Sequence, residues 1–155
     1  MEQIYPLLGF ALDDQRYALP AASVERVVRA VAVTSLPQAP EIVSGIVDLR
    51  GRIVPVLDIR CRFLLPPREI ALSDQFIVAR TSRRAVAIIA DSVAPVHEYF
   101  AKAITSADSV LPGLPLVQGV VKLPDGLMLI NDLDRFLSLD EEARLAASLG
   151  ETPHG

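Results

Sequence analysis

The chain has 155 residues with a formal net charge of −4, and 51% of them are hydrophobic against 22% charged. That length and apolar content suit one domain with a sizeable core, or two small halves sharing one, and the negative charge gives little general attraction for nucleic acid. No apolar run reaches the roughly 20 residues a membrane helix needs, and no secretory signal opens the chain, so a soluble, cytoplasmic protein without direct membrane insertion is expected.

In chain order, short segments that alternate or run apolar, rich in Val and Ile, read as strands over 7–12, 17–19, 23–33, 42–49, 52–57, 75–79, 84–89, 93–99, 116–123 and 127–130. Ten strands at this spacing predict an all-β barrel or sandwich. Asp13-Asp14-Gln15-Arg16, Thr81-Ser82-Arg83 and Pro124-Asp125-Gly126 are the expected hairpin turns. Pro55 donates no ladder hydrogen bond, which predicts that its strand is an edge or holds a bulge. Pro66-Pro67 closes the first half, residues 66–74 read as a connection, and 102–115 reads as a loop. A C-terminal helix is predicted over 138–149, opened by a capping box of Ser138 and Glu141 and stopped at Gly150. Its apolar stripe is read as Leu139, Glu142, Ala143, Ala146 and Leu149, packing on the barrel as a lid.

Two stretches echo each other. GIVDLRGRIVPVLDIRCRFL at 45–64 and GVVKLPDGLMLINDLDRFL at 119–137 share an apolar triplet after Gly, a turn, a second apolar run and an Asp before a short Ile/Leu and Arg-Phe-Leu segment. The order fits strand, turn, strand and one helical turn capped by Asp58 or Asp132. The opening segments 10–27 and 76–96 also match, so 8–65 and 76–137 are candidate structural repeats; hairpins of Val, Ile, Leu and Gly also look alike without duplication.

Reactive chemistry is sparse. The histidines are His97 and His154, and the single cysteine, Cys61, excludes an internal disulfide and reads as a buried, inert thiol within 59–65. No phosphate-binding glycine loop and no spacing of metal ligands occurs, so no catalytic residue, cofactor or metal is expected. Arginines cluster at 50, 52, 60 and 62 and at 80, 83 and 84, without the interleaved aromatics of a nucleic-acid platform; they read as solvated turn and edge positions.

The stretch from Gly45 to Arg60, GIVDLRGRIVPVLDIR, resembles the signature of the bacterial chemotaxis coupling family CheW, usually Gly-(Val/Ile)-(Ile/Val)-Asn-Leu-Arg-Gly followed by Pro-Val-(Val/Ile)-Asp-Leu. Leu19-Pro20 leading into Val24 and Val27, the Leu36-Pro37 turn, Ala90-Asp91-Ser92-Val93 and the hairpin at 119–137 fall in family order, so the resemblance spans roughly residues 7–139. It implies a single domain of two SH3-like, five-stranded β-barrel subdomains sharing a hydrophobic core, with short helices and a C-terminal helix. It further implies a non-enzymatic adaptor that bridges a chemoreceptor's cytoplasmic tip and the regulatory domain of the histidine kinase CheA, and that joins membrane receptor arrays only through these partners. By position, Leu8, Ala21, Val24, Val27 and Val96 match the family's receptor groove, each also readable as core. Arg50 is tied to receptor coupling, while Gly45, Asp48, Leu49 and Gly51 form the partner-facing turn.

Two departures stand out. The family's arginine pairs with a glutamate of the preceding strand, whose aligned position here is Arg26; Glu25, one residue away, points to the opposite face. Arg50 is therefore expected to stay exposed or find another carboxylate. Asp48 replaces the usual Asn, and both suit turns. The alternatives to an adaptor are a small β-barrel nucleic-acid binder, which would need a basic face, and an enzyme built on Cys61 and His97.

Overall fold

The computed structural model describes residues 3–106 and 116–151. Its strands are β1 (Ile4–Leu12), β2 (Gln15–Pro20), β3 (Val24–Arg29), β4 (Val43–Leu49), β5 (Arg52–Leu57), β6 (Gln75–Arg80), β7 (Ala85–Ala90), β8 (Ser92–Phe100), β9 (Ile104–Ser106), β10 (Val117–Leu123) and β11 (Gly126–Asn131), followed by helix α1 (Leu139–Ser148). One sheet runs β8-β1-β2-β11-β10-β9 and the other β3-β6-β7-β5-β4. The mostly-β class, the SH3-like sheets and the C-terminal helix are as the sequence leads one to expect. β9 was not expected, because it lies within 102–115, read as a loop. Three residues are too few to show alternation, and this strand is set by its pairing with Gly119–Val121 of β10. Residues 107–115 of that stretch, like His154, lie outside the described residues.

The sheets follow one plan with the two halves of the chain interleaved. The first sheet takes β1 and β2 from the first half and β8 to β11 from the second; the other takes β6 and β7 from the second half and β3 to β5 from the first. The pairings recur in kind: β1–β2 and β6–β7 are antiparallel, β1–β8 and β6–β3 are antiparallel, and β2–β11 and β7–β5 are parallel. Even the bulges match, falling between Val43 and Gly45 in one terminal hairpin and between Val117 and Gly119 in the other. The strand plan of β1–β5 thus recurs in β6–β8 with β10 and β11, and neither set forms a sheet alone.

This interleaving buries most strands on both faces. Successive residues of β6 enter different cores, Phe76 packing with Val47, Val54, Val56 and Ala87, and Ile77 joining a larger cluster with Leu8, Leu19, Ile42, Leu57, Ile88 and Phe136. The larger cluster lies between the sheets. Leu7, Ala18, Val121, Met128 and Ile130 fill the remaining core, within the first sheet. Phe76, Ile77, Leu57 and Ile88 are all fully buried, and each such side chain contributes about 1.5–3 kcal/mol.

Local signals place the connections. Asp58 and Asp132 each open a one-turn 3-10 helix, accepting from the backbone N–H of Arg60 at 3.1 Å and of Asp134 at 3.2 Å. Ser138 and Glu141 form the expected capping box of α1. The expected stripe of that helix needs correction: Leu139 is 74% exposed and Ala143 is exposed, whereas Leu145 is fully buried in the shared core beside Glu142. The helix follows a 3-10 turn that already delivers Leu133 and Phe136 to the core, and its inward face is Glu142, Leu145, Ala146 and Leu149. Pro55 lies in a strand flanked by β4 and β7, so β5 is not an outer strand. The β7 pairing begins only at Val56, leaving the proline nitrogen without a ladder partner to serve, and the bulge falls on β4.

Candidate protein-binding site

β8 and β3 are the outermost strands of their sheets, and both carry expected groove residues. Val96 of β8 stands directly opposite Leu8 of β1, and Val27 of β3 stands opposite Ile77 of β6, the same place in the repeated plan. Leu8 is buried within the shared core, and Val24 and Val27 pack against that core from the edge. Ala21 precedes them in a 3-10 turn over Ala21–Ser23 and is partly buried. Val96 is different, being 53% exposed. It belongs to an apolar strip with Ile4 and Phe100, beside a cavity of about 520 Å³ lined by Gly9, Ala94, Val96, Tyr99 and Met128. An outer strand with apolar neighbours offers backbone pairing and side-chain pockets together.

The β4–β5 turn is built by its own residues. Arg50 and Gly51 both take positive φ, 57° and 86°, as a two-residue hairpin between Leu49 and Arg52 requires. The Asp48 carboxylate accepts from the Gly51 N–H at 2.7 Å, so the aspartate serves the turn as an asparagine would. Leu49 packs half-buried on the second-sheet core. Gly45, at the bulge, has φ of 152°, and a β-carbon there would overlap the carbonyl oxygen of Thr34, whose two backbone hydrogen bonds to Ile46 hold the β4 edge. The signature glycines are thus backbone requirements.

Arg50 is exposed and forms no ion pair among the described residues. Glu25 is taken by Arg52 instead, through two hydrogen bonds of 2.7 and 3.1 Å. That hydrogen bonding, aided by the charges of Arg80 and Arg26, holds the Glu25 carboxyl below its ordinary range. The sequence reading left Arg52 out, although it stands two residues from Arg50 and therefore on the other side of a tight turn.

Arg80 and Arg83 are exposed as expected, whereas Arg60, Arg62 and Arg84 depart from the expectation of solvated positions. Arg60 is 4% exposed and bonds Asp13 and Asp91, each at 2.9 Å, and the Pro66 carbonyl. Arg68 joins Asp91 to the buried Asp74. Arg62 pairs with Glu141, and Arg84 with Glu142 at 2.6 Å and Glu151 at 2.7 Å, strapping α1 to the body. The carboxylate pairs of Arg60, Arg62 and Arg84 span 31 to 79 positions of sequence, which is why local spacing gave no sign of them. Cys61 is exposed and not buried as expected; it sits at the outer side of its 3-10 turn, where its thiol donates to the Asp58 carbonyl. Partial desolvation of the sulfur still raises its pKa. His97 lies exposed on β8 against Tyr99.

Paired SH3-like sheets that interleave around a common core, with apolar outer strands and a preformed turn between them, define a protein-binding module. The chain belongs to the CheW-like domain family, which matches residues 6–141. It is 25% identical to the chemotaxis protein CheW of Treponema pallidum over 94% of this chain and 89% of that one, and 27% identical to the CheW of Klebsiella aerogenes over 88% and 83%. The crystal structure of the scaffolding protein TtCheW from Thermoanaerobacter tengcongensis superimposes with a TM-score of 0.80 at 26% identity, covering 90% of this chain and 96% of that one.

Proposed function

We propose that this protein is a chemotaxis coupling adaptor that holds a CheA-type histidine kinase, through the kinase's regulatory domain, to the cytoplasmic tip of a chemoreceptor. The observation that carries the reading is the preformed β4–β5 turn of Asp48, Leu49, Arg50 and Gly51, with its guanidinium uncommitted, on a fold shared with the scaffolding protein TtCheW over nearly its whole length. Receptor contact falls to Leu8, Ala21, Val24, Val27, Val96 and Arg50; the exposed Val96 and Arg50 touch the partner, and the others shape the surface from beneath. Gly45, Asp48, Leu49 and Gly51 hold the partner-facing turn that presents Arg50. No chemical step is assigned to the chain, whose part is to position two partners. No helix among the described residues is long and apolar enough to cross a membrane, and the adaptor works in the cytoplasm, at the membrane only through its receptor.

The test is a pull-down with purified kinase regulatory domain and a chemoreceptor cytoplasmic fragment. Wild type is expected to retain both. Arg50→Ala is expected to lose most of the receptor, about tenfold or more in affinity, the scale of one charge-assisted contact. Retention of neither by wild type refutes the adaptor reading.

A further inference from the structure

We infer that the partner met by β3 and the β4–β5 turn is a protein segment rich in carboxylates, so that the receptor tip this chain couples is acidic where it faces Arg26. The inference rests on the adaptor reading and names the chemistry of that same site.

β3 is an outermost strand, with no strand paired on its free side among the described residues. It carries Arg26 and Arg29; Arg80 ends the adjoining β6, and Arg50 and Arg52 come from the β4–β5 turn. The Arg52–Glu25 pair ties that turn directly to β3, which makes these elements one surface. Arg26 and Arg80 both lie close enough to Glu25 to favour its charged form.

The carboxylates that could neutralise this surface are already engaged. Glu25 is held by Arg52, and Asp48 by the Gly51 N–H. Arg26, Arg29, Arg50 and Arg80 make no side-chain hydrogen bond or ion pair with any of the described residues. A chain of net charge −4 thus places unpaired guanidinium groups on the open strand β3, at the end of β6 beside it and in the turn tied to it. Such a surface draws carboxylates, with which guanidinium forms bidentate pairs, and repels basic partners.

Nucleic acid is the other polyanion to weigh. Stacking on single strands needs aromatic faces among the cations. Here Phe76 of β6 is fully buried, Phe10, Tyr17 and Phe136 are likewise in the core, and the exposed Tyr5 and Phe100 belong to the other sheet. The surface therefore fits protein carboxylates.

The experiment is isothermal titration of the full chain with the cytoplasmic hairpin of a chemoreceptor from the same cell, in its natural form and with its tip glutamates replaced by glutamine. The kinase regulatory domain is titrated in parallel. The natural hairpin is expected to bind at least about tenfold tighter than its glutamine form at low salt. The gap is expected to shrink by 1 M salt, where the screening length falls to about 3 Å. Arg26→Glu is expected to abolish the preference and Arg26→Gln to reduce it, each with kinase binding unchanged. Equal affinity for the two hairpins, or a preference that survives Arg26→Glu, overturns the inference while kinase binding keeps the adaptor reading in place. Loss of both hairpin and kinase binding overturns the two together. Competition by a 20-nucleotide single-stranded DNA as effective as the natural hairpin assigns the surface to nucleic acid and overturns it as well.

Discussion

The segment Leu57-Asp58-Ile59-Arg60 and the segment Asn131-Asp132-Leu133-Asp134 occupy matching places in the repeated plan, and they solve the same problem with opposite chemistry. Both leave their hairpin with a backbone hydrogen bond from the aspartate N–H, to Ile42 at 2.8 Å and to Leu116 at 2.9 Å. In each, the aspartate side chain caps the 3-10 turn and the next residue, Ile59 or Leu133, enters the shared core. Then they diverge. Arg60 reaches the β1–β2 turn by an ion pair to Asp13, whereas Asp134 reaches the β6–β7 turn by accepting from the Ser82 N–H at 2.6 Å. Leu57 is buried among aliphatic neighbours, while Asn131, equally buried, has neither amide atom hydrogen-bonded. The lesson is that backbone geometry is what the repeat preserves. Side-chain chemistry at equivalent points is free to change where a different contact can hold the same turn.

The sharpest way to break the comparison is at Arg60. Arg60→Ala is expected to cost about 3 kcal/mol, measured by urea unfolding, because it strips Asp91 of a buried partner; the exposure of Asp13 keeps the loss at the low end for such pairs. Partial burial alone would raise the Asp91 carboxyl. The backbone N–H of Asp13 and the guanidinium groups of Arg60 and Arg68 outweigh it and hold the pKa below its ordinary value. The stability Asp91 supplies is therefore present above its unfolded pKa and lost as pH falls through the folded one, so the cost of Arg60→Ala is expected to shrink below about pH 4. A cost that is flat across that range would remove Asp91 from the account.

Asn131→Leu sharpens it from the other side. Giving the second segment the residue of the first removes an unsatisfied buried amide, and thermal and urea unfolding are expected to show a gain of about 1–2 kcal/mol. A loss of stability instead would mean that the amide has a partner, such as a buried water, when the protein is in solution. Smallest is Asp134→Ala, expected to cost about 0.5–1 kcal/mol because Ser82 is exposed and water replaces the lost acceptor. If that change proves as costly as Arg60→Ala, the two tethers are not as unequal as their burial suggests.

What was legible in the sequence was what is local. The caps of Asp58, Asp132 and Ser138 act over two or three residues, and the turn at Arg50-Gly51 is set by its own backbone demands, so each could be read from neighbouring letters. The signature at 45–60 carried the family and, through it, the shared core. Less visible was anything decided at a distance. Arg60 and Arg84 look like their solvated neighbours until the fold brings carboxylates to them, and Leu139, at the helix start, stays exposed while Leu145 enters the core. Among candidate site residues, nothing in the neighbouring letters distinguishes the exposed Val96 from Leu8, its partner across the ladder, which is core.

The interleaving of the halves also sets a timetable. As the chain leaves the ribosome, β1 and β2 can pair at once, but β2 waits for its parallel neighbour until residues 128–130 have emerged, and β4 and β5 wait for β7. No half can bury its strands ahead of the other, so the nascent first half carries open apolar edges for most of its synthesis and closes only when nearly the whole chain is available.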